Sequence, residues 1–523
     1  MQPAPHMHTA VYVLSKFVGT RAMHFSLYPF IFSLLPLFLF LVFLLKWLSI
    51  TARPPHKNPP PSPRKLPLIG NLHQVGHLPH RSLHSLSQAH GPLMLLHFAA
   101  APVLVVSSAG AARDIFKTHD LIFSNRPKST ISEKIAYGAK DVVFSPYGDY
   151  WRQMRSICVL RLLSNKQVQS FRDVREEETA LMIKKISDSG SEVVNLSKLI
   201  VELTANVVCR AAFGRKYDGV GGRGGGPRRG FKEVLEEVME LIGFFDIGDF
   251  VPWLKWVNRV NGVYGRVERI TKELDEFMEG VVEEHEDRER KGGQDFVDVL
   301  LEIQRENVGI PLQRNSIKAL ILDILAGGTD TTSATIEWVM TELSKHPQAM
   351  KKLQAEVRLI AQPNQLVTED NLDQMPYLKA VIKETLRLHP PIPIILPRES
   401  TKDVQVKGYD IAAGTRVLVN AWAIGQDPTS WDEPKEFRPE RFLNDRSIDF
   451  RGHDFELIPF GAGRRGCPGI QFAAVVDELA IANLVHKFDF ALPDGVELDV
   501  SEAAAITVHK KFPLLLVATP WSC

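Results

Sequence analysis

The chain has 523 residues, of which 45% are hydrophobic and 24% are charged, so it is long and apolar enough to bury a large core. Its 62 basic and 61 acidic residues leave a net charge of +1, which excludes a bulk electrostatic reason to bind nucleic acid or an acidic polymer. The four cysteines are scattered and form neither a disulfide framework nor a CxxC zinc motif, so we expect a reducing compartment. Cys158 and Cys209 are predicted to be buried apolar residues.

The first predicted element is an uncharged apolar segment at 25–45, FSLYPFIFSLLPLFLFLVFLL. A helix of about 20 such residues crosses the ~30 Å core of a bilayer. More basic residues follow this segment than precede it, so the positive-inside rule places the rest of the chain in the cytosol. We therefore expect an N-terminal extension at 1–24, an uncleaved transmembrane anchor at 25–48 and a proline-rich hinge at 49–66. Translation could start at Met1 or at Met23, and the sequence does not decide between them.

Two short β-like runs follow the hinge, LMLLHF from Leu93 and PVLVVS from Pro102, and then a long series of helical patterns. These patterns predict one large domain at 67–523 that is mainly α with small β-sheets. The segment DGVGGRGGGPRRG at 218–230 contains the spacing GxGxxG, but no strand precedes it. It is predicted to be a flexible surface loop, because glycine loses much conformational entropy on ordering.

Apolar residues recur at helical spacing between Asn315 and Lys345, which predicts a helix of ~45 Å. The middle of this helix reads AGGTDTT, and each glycine inside a helix costs about 1 kcal/mol relative to alanine. Such poor helix formers indicate a kink, or a close approach by something that is not protein.

The strongest chemical motif is FGAGRRGCPG at 460–469, directly before the apolar helical pattern IQFAAVVDELAIANLV. The dipole and free N–H groups of a helix start favour the thiolate of a nearby cysteine, here Cys467. The flanking glycines would let a flat ligand approach the backbone. Arg465 is placed to meet an anionic group on that ligand.

These residues carry a family resemblance. FGAGRRGCPG fits the haem signature FxxGxRxCxG of cytochromes P450, and four further motifs occur in the family's order: WRQMR from Trp151, GGTDTT from Gly327, ETLR from Glu384 and FRPERF from Phe437. From about Met23 onward, the chain resembles a plant microsomal cytochrome P450 of the 71 clan, closest to the 71A-like subfamily. The resemblance implies the cytochrome P450 fold and an endoplasmic reticulum membrane anchor, with the catalytic domain facing the cytosol.

The resemblance also implies roles for individual residues. Cys467 would be the axial thiolate ligand of the iron in haem b, with Phe460 packed beside it. The haem propionates would be bound by four side chains: Trp151, Arg155, Arg398 and Arg465. Asp330 and Thr331 would organise the water relay that delivers protons to dioxygen. A structural ion-pair network would fix the cysteine loop: Glu384, Arg387 and Arg441.

The implied activity is that of an NADPH- and O2-dependent monooxygenase acting on a lipophilic plant specialised metabolite, with terpenoids favoured. The segments expected to form its substrate pocket are largely apolar, and they contribute these residues: Ile242, Phe244, Phe245, Leu322, Ile324, Ile392, Ile394, Ile395, Leu396 and Ala504. The chain has no nicotinamide or flavin motif, so bound flavin or NADPH is not expected. Electrons would come from NADPH-cytochrome P450 reductase, with cytochrome b5 as a further candidate, at a membrane lipid surface and through basic residues such as Arg464.

Two other functions stay open at this point. A haem-thiolate isomerase or dehydratase would need no reductase, and a requirement for NADPH and dioxygen would exclude it. A non-enzymatic haem-binding protein would load haem without oxidising NADPH.

Overall fold

The computed structural model describes residues 58–190, 192–217, 231–287, 294–307, 309–443 and 448–521, together with helical positions 34, 37, 38 and 40–42. The chain divides into two compact units, Met1–Lys57 and Asn58–Cys523. Among these described residues, no helix has both the length and the apolar character that a membrane span requires. Most of the predicted anchor at 25–48 and the whole glycine loop at 218–230 lie outside the described residues. The predicted domain boundaries stay a prediction.

The second unit is mainly helical with small sheets, which confirms the predicted fold class. Its α-helices are, in chain order, α1 Pro79–His90, α2 Ala109–Arg113, α3 Thr130–Ile135, α4 Asp149–Ile157, α5 Asn165–Ser170, α6 Arg172–Asp188, α7 Leu196–Phe213, α8 Phe231–Ile242, α9 Lys255–Val260, α10 Val263–Glu286, α11 Phe296–Glu306, α12 Arg314–Lys345, α13 Pro347–Ile360, α14 Glu369–Leu372, α15 Pro376–Leu388, α16 Ala421–Gly425 and α17 Ile470–Lys487. Its strands are β1 Leu93–Phe98, β2 Ala101–Val106, β3 Val193–Asn195, β4 Ile394–Glu399, β5 Val404–Val406, β6 Tyr409–Ile411, β7 Arg416–Asn420, β8 Phe488–Ala491 and β9 Leu515–Pro520.

Local sequence signals explain where several helices begin and end. Proline occupies the first position of α1, α13 and α15, where its missing N–H costs nothing. Helix α11 begins with a capping box in which Asp295 and Asp298 each accept the other's backbone N–H. Helix α7 is followed by a C-cap at Gly214, whose left-handed backbone conformation is easily adopted by glycine.

The two predicted β-like runs are β1 and β2, an antiparallel pair in which Leu93 faces Val106. Strand β2 pairs in parallel with β7, and β7 pairs antiparallel with β4, giving the order β1-β2-β7-β4. Strands β3, β9 and β8 form a second sheet, and β5 and β6 form a third. The register of β4 shifts between Ile395 and Arg398, an irregularity that re-aims side chains near the site described below.

Helix α12 runs through the core and confirms the long helix predicted between Asn315 and Lys345. It continues without a break across Gly327 and Gly328. A Cβ on Gly328 would lie 3.1 Å from Val208 Cγ2, so this glycine permits the close packing of α7. A Cβ on Gly327 would meet nothing within 4 Å. One glycine therefore serves close packing against a neighbouring helix, and the other borders open space.

The last part of the proline-rich segment lies along the second unit. The Pro61 carbonyl accepts the Leu95 N–H at 2.8 Å, and the Asn58 amide donates to the Gly408 carbonyl at 2.8 Å. Pro60 and Pro63 are buried. From Asn58 onward, this segment is therefore tied to β1 and to the β5–β6 turn.

Candidate active site

A cavity of about 250 Å³ is lined by residues of α12, of the segment before β4 and of the loop before α17. One water molecule needs only ~10–15 Å³, so the cavity is large enough for a substantial ligand. Cys467, Phe460 and Thr331 all line it, as do Trp151, Arg155 and Arg465. The predicted iron ligand, three of the four predicted propionate partners and the relay hydroxyl, drawn from positions 151 to 467, are thus brought to one cavity.

Cys467 lies three residues before α17, in a tight loop that holds its sulfur at the cavity. Its backbone N–H donates to the Phe460 carbonyl at 2.9 Å, and the Gly469 N–H donates to Cys467 Sγ at 3.3 Å. Gly463 has φ +68°, and a Cβ there would collide with the Phe116 carbonyl oxygen, so the loop requires glycine at this position. The sulfur is therefore fixed by the backbone on both sides.

Burial raises the pKa of the Cys467 thiol, whereas the Gly469 N–H and the positive charge of Arg155 act to lower it. The effect of burial is the largest, so the N–H groups near the helix start do not by themselves favour the thiolate. A metal cation bound at the sulfur would supply the missing stabilisation, because a coordinated thiol loses its proton.

Four arginines surround the same part of the cavity, although the sequence analysis identified only three of them. Arg126, Arg155 and Arg465 line the cavity and Arg398 is buried. Burial lowers the pKa of Arg465, and the charges of Arg126, Arg398 and Arg155 lower it further, against a smaller opposing effect of Asp141. Arginine keeps its charge in proteins, so this mutual repulsion leaves an excess of positive charge that an anionic ligand would relieve.

Two of the predicted propionate partners already have protein acceptors. Arg465 donates to the carbonyls of Ser124 at 2.8 Å and Ser145 at 2.6 Å, and its guanidinium lies 4.2 Å from the ring centroid of Trp151. Trp151 donates its indole N–H to the Val142 carbonyl at 3.0 Å. These contacts fix both side chains at the cavity wall.

The other two predicted propionate partners, Arg155 and Arg398, retain hydrogen-bond donors for a ligand. Arg398 donates to the Ala462 carbonyl at 2.7 Å and pairs with Asp120 at 3.3 Å, but its buried Nε has no hydrogen-bond partner among the described residues. Within the part of the chain that the structure describes, Arg155 has no hydrogen bond or ion pair. Arg155 is therefore the cation most clearly available to a bound anion.

Arg126 is the arginine that the sequence analysis missed as an anion-binding candidate. It donates to the carbonyls of Val143 at 2.8 Å, Leu396 at 2.7 Å and Pro397 at 2.7 Å. It thereby joins the loop after residue 140 to β4. Arg126 lies outside every motif quoted in the sequence analysis, so no sequence signal pointed to this role.

The structure separates the predicted acid and alcohol of α12. Thr331 lines the cavity and donates its hydroxyl hydrogen to the Gly327 carbonyl at 2.6 Å. Asp330 does not line the cavity, and its Oδ1 lies 2.9 Å from Nε2 of His509, a residue that the sequence analysis did not consider. The two groups are adjacent in sequence but occupy different surroundings.

Glu384, Arg387 and Arg441 form one connected network, as the motif predicts for its members. Glu384 accepts from Arg387 Nε and Nη2, both at 2.8 Å, and from Arg441 Nε at 3.0 Å. Arg387 also donates to the carbonyls of Gly425 and Pro434, each at 2.6 Å. None of the three network residues lines the cavity, which agrees with a structural role.

The predicted substrate-pocket residues divide into two groups. Four of them line the cavity: Ile324, Ile392, Ile395 and Leu396. The others do not: Ile242, Phe244, Phe245, Leu322, Ile394 and Ala504. Phe244 and Phe245 are 40% and 45% exposed, because the chain that carries them runs over the surface after α8.

A pair of carboxyl groups was also missed in the sequence: Asp141 is buried, and Asp323 is partly buried and lines the cavity. Asp323 of α12 accepts the Val142 N–H at 2.8 Å, and Asp141 accepts the Phe144 N–H at 2.8 Å. Burial raises the pKa of Asp141 to about 6, and burial together with the charge of Asp141 raises the pKa of Asp323 well above its usual value. The pair therefore retains a proton at pH values where exposed carboxyls are ionised.

Comparison with known proteins identifies the family. Residues 60–517 match the model of the family described as Cytochrome P450. The chain belongs to the cytochrome P450 family. Similar plant proteins include "Cytochrome P450 736A117" of Prunus mume, 57% identical over 94% of this chain and 96% of that one. "Norfluorocurarine oxidase" of a Strychnos species is 52% identical over 94% and 99%, and "Cytochrome P450 71A6" of Nepeta racemosa is 52% identical over 92% and 98%.

These relatives confirm the 71-clan, 71A-like resemblance. Among solved structures, a zebrafish cytochrome P450 with progesterone superimposes with a TM-score of 0.73 at 25% identity, covering 85% of this chain and 99% of that chain. The cytochrome P450 fold is therefore established for this chain, and so is the oxidoreductase class of its family.

Membership of the family implies haem with a cysteine thiolate ligand, and the residues of this cytochrome P450 fit that group. Cys467 supplies a sulfur at the cavity wall, and the arginine cluster supplies excess positive charge for two propionates. The buried Nε of Arg398 and the guanidinium of Arg155, neither of which has a partner in the part of the chain that the structure describes, are the donors that such carboxylates require. The open space beside Gly327 leaves room for a ligand against α12.

Proposed function

We propose that this cytochrome P450 is a haem-thiolate monooxygenase that inserts one oxygen atom of O2 into a C–H or C=C bond of a lipophilic small molecule. The other oxygen atom leaves as water, with two electrons from NADPH and two protons from solvent. The observation that carries the proposal is that Cys467 and Thr331 line one cavity that also holds the arginine cluster. Haem, when bound there, would supply the activation of dioxygen at its iron.

The chain's own residues would perform four tasks in this reaction. Cys467 would hold the iron through its sulfur, and Arg155, Arg398 and Arg465 would bind the propionates. The buried walls would exclude bulk water. Thr331 gives its hydroxyl hydrogen to the Gly327 carbonyl, so its oxygen lone pairs are left to hold a water molecule that passes protons inward.

The lining supports a lipophilic substrate. Apart from the arginines, Asp323 and Asp477, the cavity wall consists mainly of aliphatic, glycine and threonine residues. A relative at 52% identity is named for the oxidation of norfluorocurarine, whereas another at the same identity carries only a numbered name. Sequence identity of about one half therefore does not identify the substrate of this chain. We propose a plant specialised metabolite, with a terpenoid as the first class to screen.

Electrons would reach the site from NADPH-cytochrome P450 reductase, with cytochrome b5 as an additional donor, at the cytosolic face of the endoplasmic reticulum membrane. The apolar segment at 25–45 supports membrane attachment. Arg464, half exposed and three residues before the cysteine, offers a positive charge to a reductase surface, although it pairs with Asp120 at 2.7 Å. A haem-thiolate isomerase or dehydratase remains the second candidate, because Asp330 lies outside the cavity in this structure.

The reduced carbon monoxide difference spectrum tests the central assignment. Wild type and Cys467→Ser are compared in microsomes, with Cys158→Ala as a matched control. Cys158 lines the same cavity, but burial raises its thiol pKa to about 12, so it is not expected to ligate iron. A long-wavelength Soret band should appear in wild type and Cys158→Ala and be lost in Cys467→Ser. Its absence from folded, haem-loaded wild type would overturn the proposal, and product formation without NADPH and O2 would favour the isomerase.

A further inference from the structure

The segment 501–511 presents His509 to α12 from a fixed backbone. The Ala503 N–H donates to the His509 carbonyl at 2.9 Å, and the Val508 N–H donates to the Pro391 carbonyl at 2.8 Å. The Trp338 indole N–H donates to the Val508 carbonyl at 3.0 Å, which ties the segment to α12 itself. The position of His509 is therefore set by bonds on both sides of it.

His509 connects the solvent to the acid that precedes the relay threonine. Its Nε2 lies 2.9 Å from Asp330 Oδ1, and the two side chains are 29% and 24% exposed. Within the described residues, Nδ1 of His509 has no hydrogen-bond partner. One ring nitrogen thus faces Asp330, while the other is left for water, and the next residue along α12 after Asp330 is the cavity residue Thr331.

The charges around His509 favour its protonated form. Burial lowers the pKa of His509, but the hydrogen bond and charge of Asp330 and the charges of Glu337 and Glu236 raise it by more, so the net shift is upward. Lys510, the next residue in the segment, is the nearby cation, and burial lowers its own pKa. The acids come from α8 and α12, so the imidazole is faced by negative charge from two elements.

We infer that His509 is a positioning residue that holds Asp330 at the entrance of the proton path and supplies its proton during turnover. The Nε2 proton of the imidazolium passes to Asp330 Oδ1 and leaves the neutral ring protonated on Nδ1, and solvent returns a proton to Nε2 once Asp330 has turned away. Rotation of the Asp330 side chain then brings its proton to the water held by Thr331. This inference rests on the proposed monooxygenase function.

The test uses the full-length enzyme reconstituted with NADPH-cytochrome P450 reductase, without added substrate. Hydrogen peroxide formed per NADPH oxidised is measured from pH 6 to pH 8.5. In wild type, the peroxide fraction should rise with pH as the imidazolium is lost. In His509→Gln, it should be raised several-fold at pH 7 and lose its dependence on pH, because the amide cannot carry a proton between solvent and Asp330.

His80→Gln is the matched control. His80 pairs with Glu502 at 3.1 Å and so anchors the same segment without touching Asp330. This variant should lower the melting temperature and leave the peroxide fraction at the wild-type value. A raised peroxide fraction in His80→Gln would show that loosening the segment is sufficient, and the role of His509 would be overturned.

His509→Lys separates the ion pair from the proton transfer, because lysine keeps a positive charge near Asp330 but stays protonated through this pH range. Relative to His509→Gln, this variant should restore the wild-type melting temperature, but its hydrogen peroxide per NADPH oxidised should stay raised. Coupling restored to the wild-type value would show that the charge alone suffices and would overturn proton entry through His509.

A thermal measurement reports the ion pair independently of turnover. A histidine whose folded pKa is raised contributes stability below its unfolded pKa and loses it as pH rises through the folded value. The difference in melting temperature between wild type and His509→Gln should therefore be larger at pH 6 than at pH 8.5. An equal difference at the two pH values would contradict a stabilising ion pair between His509 and Asp330.

The outcomes for the proposed function and for this inference can be told apart. If wild type oxidises no NADPH, the proposed function fails. If wild type is active and His509→Gln matches its peroxide profile, only this inference fails.

Discussion

At the scale of single residues, the oxygen of Thr331 is the polar group of α12 on which the proposed proton relay depends. Thr331→Ala removes the acceptor that would hold a water molecule, while the helix is retained. We expect NADPH oxidation to continue and hydrogen peroxide per NADPH to rise several-fold. Thr331→Ser keeps the hydroxyl and should stay close to wild type. Unchanged coupling in Thr331→Ala would remove this residue from the relay and leave the role of Cys467 intact.

Arg155 gives a second prediction at this scale, because a half-buried guanidinium that has no partner among the described residues should gain one from the haem. Hydrogen bonds to charged groups contribute about 1.5–3 kcal/mol, so Arg155→Gln should release haem about tenfold to a hundredfold faster. The measurement is the rate of haem transfer to an excess of a scavenging apoprotein.

Arg152→Gln is the control for this experiment. Arg152 lies on the same helix, is 56% exposed and pairs with Asp149 at the surface, so its loss should leave the rate unchanged. Equal rates in Arg155→Gln and wild type would show that Arg155 does not hold a propionate.

At the scale of elements, α12 carries two adjacent glycines with opposite surroundings. Gly327→Ala places a methyl group in open space and should raise stability by up to about 1 kcal/mol through helix propensity. Gly328→Ala pushes a methyl group against Val208, and overpacking of a core typically costs about 1–3 kcal/mol. In thermal unfolding, the melting temperature of Gly327→Ala should therefore exceed that of Gly328→Ala. Adding Val208→Ala should recover stability in the Gly328→Ala background and not in the Gly327→Ala background. The reverse ranking would refute the packing argument.

The carboxyl pair between α12 and the loop after residue 140 predicts a dependence on pH. Because the folded pKa of Asp323 is raised, the native state holds a proton that the unfolded chain releases, and stability falls as pH rises through that pKa. Asp323→Asn keeps an acceptor for the Val142 N–H and removes this cost. Its gain in melting temperature over wild type should be larger at pH 8 than at pH 5. The control is Asp373→Asn, at an almost fully exposed carboxyl, which should show no such gain in melting temperature. A gain for Asp323→Asn that does not grow with pH would contradict the raised pKa of Asp323.

At the scale of the whole molecule, the sequence predicted what is local or periodic. The apolar spacing of α12, the β-like runs of β1 and β2 and the cysteine loop are each contained in one continuous stretch. The side chains that were missed act over long separations. Arg126 bonds to Leu396 and Pro397, 270 and 271 residues away, and His509 meets Asp330 across 179 residues. No spacing rule within one segment reports such pairs, because they depend on how the segments pack.

The same reasoning explains why the Asp330–Thr331 pair was only partly understood. Adjacent residues on a helix are about 100° apart around its axis, so one can line a cavity while the next faces a different element. The motif drew attention to both residues, and the helix geometry places Thr331 at the cavity and Asp330 beside the segment 501–511. Similarly, Phe244 and Phe245 were assigned to the pocket as apolar residues of a segment that the family resemblance implied, and apolar character does not distinguish an apolar surface from an apolar interior.

The division of the chain after Lys57 predicts that membrane attachment and the catalytic unit can be separated. Deletion of residues 1–57 removes the apolar segment at 25–45 and leaves the compact unit that begins at Asn58. We expect the full chain to stay in the membrane pellet after alkaline carbonate extraction. The truncated chain should be released, with its carbon monoxide difference band and melting temperature retained.

Deletion of residues 1–22 alone is the control for this truncation, because it ends before the apolar segment and should leave attachment unchanged. Exposed apolar residues of the compact unit, such as Trp253 and Trp256 at 61% each, would give at most peripheral binding that carbonate disrupts. Carbonate resistance of the chain lacking residues 1–57 would therefore place the anchor outside the predicted segment. Release of the chain lacking only residues 1–22 would instead show that the upstream extension is part of the anchor, because one helix of about 20 apolar residues should otherwise suffice to hold the protein in the bilayer.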